Sequence, residues 1–189
     1  MKMKQFLTIA LTFNLLSCSQ PNRVITKDKI YEFVNDLLER QEIPHFKGID
    51  KIADKEFLSL SWSNEDSITI LRMDSIFNLD DVEFISRQIR ESNNFNLDQR
   101  FIKSKKIIST DTLKQFRKLQ EELFWIKLKQ KYGNNCFATI SKPVFSRDKL
   151  KVVVRLNYYS EFGGNGETLV FRKHDGKWDV VTMLGFWDN

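Results

Sequence analysis

Two cysteines and two histidines are the residues in this chain with the widest chemical repertoire. Cys136 and His174 are the pair from which a nucleophile and its base could be built, since both fall in stretches that read as sheet. Against that, a lone cysteine among apolar neighbours is a small hydrophobe, and a histidine beside Asp175-Gly176 is a turn residue. His45 follows Pro44 in a loop, and neither histidine has a helical His partner or a cysteine pair at zinc-ligand spacing. Asp80, Asp81 and Glu83 cluster, but the oxygen spacing and central glycine of a calcium loop are missing. They suit the positive end of a helix. Gly163, Gly164, Asn165 and Gly166 are not followed by the Lys-Ser or Lys-Thr of a phosphate loop. They read as a hairpin loop whose backbone donors offer a possible binding site. The expectation is therefore no catalytic residue, no metal, no cofactor, and a binding loop at Gly163–Gly166.

Other features concern address rather than chemistry. Met1-Lys2-Met3-Lys4 precedes an apolar run from Phe6 to Leu16, too short for a hydrocarbon core that needs about 20 residues. This is the layout of an export signal. The run ends Leu15-Leu16-Ser17-Cys18, which resembles the lipobox of bacterial lipoproteins. The resemblance implies diacylglycerol on the Cys18 thiol, cleavage after Ser17 and a further acyl chain, such as palmitate, on the new amino terminus. More than one chain is needed for firm anchoring. Residues 1–17 are then the signal peptide, 18–26 a polar tether, and 27–189 a single domain. The expected location is the bacterial cell envelope, lipid-anchored on the periplasmic side or at the cell surface.

Cleavage removes Lys2 and Lys4 and no acid, so the formal charge falls from +5 to +3. Acids and bases interleave throughout, and only Lys103, Lys105 and Lys106 form a basic knot, of the kind that protects a strand edge. No basic stripe with aromatic platforms is present, so nucleic acid is not an expected partner. Cys136 is the one thiol left for the folded part, so packing rather than a disulfide must hold it. The supply is generous, with sixteen Phe and four Trp.

Three helices and a terminal meander must position these residues. Thr26 caps a helix over 27–40 with Ile30, Phe33, Val34, Leu37 and Leu38 on one face. Residues 57–73 read as a hairpin, 80–90 as a helix capped by Asp80, and 101–108 as a strand. A long helix is expected over 112–132, closed by Gly133. A strand over 136–143 leads to Lys151–Tyr159, whose alternation of Val152, Val154, Leu156 and Tyr158 predicts burial on one face. Strands over 167–173 and 177–184 join across Asp175-Gly176. The fold class is α+β, with helices on one face of an antiparallel sheet that ends in a C-terminal β-meander.

The run from Ser141 through the Val-rich strand to Gly176-Lys177-Trp178-Asp179-Val180-Val181 resembles small uncharacterised bacterial lipoproteins over the last third of the chain. Its ending is also similar to the final strands of nuclear-transport-factor-2-like proteins. Neither resemblance implies an activity. The function expected is non-catalytic binding of an envelope protein, a glycan or a small molecule by a lipid-anchored protein. An envelope hydrolase or transferase, and an immunity or inhibitor lipoprotein, are the alternatives. Intact mass of protein from bacterial membranes should match cleavage before Cys18 plus acyl chains, and Cys18→Ala should abolish both; an unmodified chain from both would overturn the anchor.

Overall fold

The computed structural model describes residues 24–40, 49–54, 70, 75–92 and 95–188. The export segment with Cys18, the residue His45 and the expected hairpin over 57–73, apart from Ile70, lie outside these residues. In chain order the elements are α1 (Lys27–Glu39), β1 (Lys51–Ala53), α2 (Leu79–Arg90), a 3-10 turn (Gln99–Phe101), β2 (Lys106–Ile108), α3 (Thr110–Arg117) and α4 (Glu121–Tyr132). Then come β3 (Cys136–Ile140), β4 (Val144–Phe145), β5 (Lys151–Ser160), β6 (Gly163–His174) and β7 (Lys177–Asp188). The strands form one mixed sheet in the order β2-β1-β3-β5-β6-β7, with β4 also paired to β5. The first two pairings are parallel and the rest antiparallel. The fold is α+β, and its terminal meander is antiparallel as expected.

The layering is richer than a one-sided sheet. β5 is buried on both faces from Val152 to Asn157. Val152, Val154 and Leu156 pack with α1, while Val153 packs with α2 on the opposite face. Further along that second face, Phe137 and Tyr159 meet Leu113 of α3 with Phe124 and Leu128 of α4. Helices therefore cover both sides. The residues Val153, Arg155, Asn157 and Tyr159, assigned to an outer face by their mixed polarity, form the floor beneath α2, α3 and α4.

α1 follows its sequence closely. Thr26 accepts a bond from the Lys29 N–H, and Ile30, Phe33, Val34, Leu37 and Leu38 are all buried. Phe33 meets Phe145, Phe171 and Trp178 edge-on, with centroids 5.2–6.1 Å apart. α2 is capped two residues earlier than expected, by Asn78, whose side chain accepts from the Asp81 N–H at 2.8 Å. This frees Asp81, which is 2% exposed, to accept from the Arg147 N–H and pair with the Lys151 ammonium at 2.8 Å. Gln88 then bonds both the N–H and the carbonyl of Phe145, serving β4 as a neighbouring strand would.

Three further expectations change. Residues 112–132 form two helices, because Gln120 is extended between α3 and α4. A straight helix would set Phe124 roughly 16 Å along the axis from Leu113. The break folds both into one cluster. Ile70, read as strand, is helical and buried with Phe77 and Val170, a case in which a short apolar run does not distinguish the two periods. Most consequential, Gly163–Gly166 are not a loop. They open β6, paired with Asn157–Ser160, and the turn is Glu161-Phe162 alone.

The glycines are there for a tryptophan. Trp187 on β7 lies across β6 so that its indole N–H donates to Asn157 Oδ1 on β5 at 2.9 Å. A Cβ on Gly166 would sit 2.2 Å from both Trp187 Nε1 and Asn157 Oδ1, and one on Gly164 would sit 2.7 Å from the Tyr158 carbonyl oxygen. Neither position admits a side chain without displacement. Gly166→Ala should cost about 2 kcal/mol or more in urea unfolding, and the cost should shrink in a Trp187→Ala background; an equal cost in both would disprove this account.

Candidate functional site

The sheet separates the residues that sequence alone would combine. Cys136 opens β3 opposite Ser160, which pairs with Gly163; His174 closes β6, eleven residues further on. At about 3.3 Å per residue they stand roughly 35 Å apart. They cannot act as nucleophile and base. Burial raises the Cys136 thiol pKa, and His174 lies exposed 3.3 Å from Asp175. Asp80 pairs with Arg147 and Asp81 with Lys151, so these two acids serve as structural anions at the start of α2. Among the described residues no three His, Cys, Asp or Glu side chains converge as metal ligands.

The aromatics near the meander's end also divide. Tyr159 stacks on Phe137 at 5.1 Å and Trp187 fills the glycine trough, whereas Phe162 and Phe186 are 90% and 60% exposed. Gly163–Gly166 therefore support the sheet rather than present a mobile loop.

A cleft of about 600 Å³ opens elsewhere, where parallel strands β1 and β2 end side by side at Ala53 and Ile108. Carboxyl ends of parallel strands leave residues splayed towards a common space. Here Asp54 follows β1 and Ser109 follows β2. Asp54 is fixed at three points: its N–H donates to the Ile108 carbonyl, its carbonyl accepts from Leu97, and its carboxylate accepts from the Thr110 N–H at 2.8 Å and from the Thr110 hydroxyl. That carboxylate caps the first turn of α3, a place ordinarily filled by the preceding residue.

The opposite wall is the segment Asn96–Gln99, held to α1 by side chains. Tyr31 Oη accepts from the Asp98 N–H at 2.8 Å, and Asn35 donates to the Phe101 carbonyl while accepting from the Lys103 N–H. Gln99 braces the turn behind it, donating to the carbonyls of Ile102 and Lys105 and accepting from the Ile107 N–H. Lys27, at the start of α1, completes the rim, its ammonium 4.0 Å from the Phe101 ring centroid and 3.8 Å from Asp98. The cleft thus offers carboxylates, the Asn96 amide, a hydroxyl and an ammonium over an aromatic ring, each on a braced backbone. None of these residues neighbours another strongly in sequence except 96–99, and a motif search has nothing to find.

No family model, curated protein or solved structure matches the chain. No described helix is long and apolar enough to cross a membrane.

Charge in the cleft is firm. Arg100 donates from Nε and Nη2 to both Asp98 oxygens, holding that carboxyl at about 2 against an ordinary 3.8. A depressed carboxyl contributes stability above its unfolded value and loses it as pH falls through the folded one. Between about pH 4 and pH 2 the melting temperature of Asp98→Asn should therefore fall less steeply than that of the parent; parallel curves would show that the pairing is worth nothing in solution.

Proposed function

We propose that this chain is a lipid-anchored protein of the bacterial envelope that binds a hydroxyl-rich ligand, a glycan, in the cleft between α1 and the ends of β1 and β2, without performing chemistry on it. The observation that carries the reading is the convergence of Asp54, Asn96, Asp98 and Ser109 on one cleft, opposite Lys27 above a phenylalanine ring. Planar amides and carboxylates recognise the paired hydroxyls of a sugar by accepting and donating at fixed angles. Ile107, half-buried, supplies apolar surface in the lining. A free anion is disfavoured by two carboxylates, and an apolar ligand would strand their hydrogen-bonding capacity.

Preorganisation supports the same reading. Because backbone bonds and the Tyr31, Asn35 and Gln99 side chains already fix the walls, little ordering remains to be done on binding. The lipobox supplies the location, where glycans are the most abundant surface a tethered domain meets.

Titrating the isotopically labelled protein with N-acetylglucosamine tetramer and with maltotetraose should shift amide resonances at Asp54 and 96–99. Asn96→Ala should weaken the tighter of the two about tenfold, the loss of roughly one good hydrogen bond, and leave the unfolding midpoint unchanged. Shifts confined to 163–166, or none with either sugar, would overturn the assignment.

A further inference from the structure

The outer edge of β7 carries a pattern with its own symmetry. Two bulges interrupt its pairing with β6, between Thr168 and Leu169 and between Val170 and Phe171, so that Val181 and Leu184 are the extra residues. Each bulge adds one residue to the usual period of two. Val180, Met183 and Phe186 therefore share one face at a spacing of three, opposite Phe171, Leu169 and Glu167. They are 50%, 50% and 60% exposed. Between Asp179 and Asp188 the strand has no charge and no proline, and its two bulges are the guards this edge carries. Among the described residues β7 closes its side of the sheet.

We infer that this edge is the seat of a second copy of the chain, its β7 added antiparallel about a two-fold axis at Met183. Such an axis requires a residue to face itself, with partners on matching faces. Centred on Met183, Val180 faces the copy's Phe186, the bulge pair Val181-Thr182 faces Gly185-Leu184, and Asp179 faces Trp187. Every pair matches in face, which a centre at either neighbouring residue does not achieve. Asp188 of the copy then falls in the row of Trp178 and Lys173, whose ammonium already pairs with Glu32 at 2.7 Å. Two sheets become one, and the apolar strip runs unbroken across the join.

Sedimentation of the full processed chain should show a reversible dimer. Met183→Lys sets two ammonium groups face to face and should raise the dissociation constant roughly a hundredfold or more; circular dichroism checks that this half-exposed site leaves the fold intact. Register is tested by oxidation. Met183→Cys should cross-link to itself, and Val180→Cys should cross-link when mixed with Phe186→Cys but not alone. A monomer at every concentration, a dimer indifferent to Met183→Lys, or self-cross-linking of Val180→Cys would each overturn the proposal, the first leaving the strip to an unlike partner.

Discussion

The structure depends on a strand buried on both sides that nevertheless carries polar residues. β5 places Asn157 at 1% exposure in the middle of the sheet, and an amide so placed must find partners for its oxygen and its nitrogen. It finds Thr139 on β3, which accepts from its nitrogen at 3.1 Å, and Trp187 two strands away, which donates to its oxygen. Thr139, Asn157, Gly166 and Trp187 stand in one continuous row of cross-strand partners. The third member must be glycine because the fourth reaches over it to the second. One buried amide thus fixes a side chain, its absence and a ring on three successive strands.

That row also divides the second face of the sheet. On one side lie Val144, Val153 and Val170 beneath α2; on the other Phe137 and Tyr159 beneath α3 and α4. Arg155 and Thr168, both largely buried, lie in the band between. α1 faces the opposite, mostly apolar surface of the same strands, where Glu167 is the buried charge. The polar division accompanies three helices of 12, 8 and 12 residues on this side, where residues 112–132 were expected to form one helix.

What could be read in advance follows from how local each signal is. The stripe of α1, the Gly133 stop with its φ of 77°, and the Asp175-Gly176 turn with φ of 48° and 81° depend on neighbours in sequence, and each lies where the pattern placed it. Asn157 reads as solvent-facing by its polarity, and the partners that bury it are on other strands. Gly163–Gly166 looked like a loop because the tryptophan that demands them lies more than twenty residues later. The cleft escaped for a similar reason: Lys27, Asp54, Asp98 and Ser109 come together only when β1 and β2 pair in parallel. On β7 the bulges turn a period of two into three, a spacing that one sequence read for alternation does not reveal.

The parallel pairings bear on how fast the sheet can close. Lys51 of β1 pairs with Lys106, 55 positions on, and Ile52 pairs with Ala138, 86 positions on. Contacts so distant cannot reward the chain until the intervening loops have closed, and they slow folding accordingly. The sheet's first strand waits for its third. Until residues more than fifty positions apart have met, the sheet lacks the edge that β1 and β2 form.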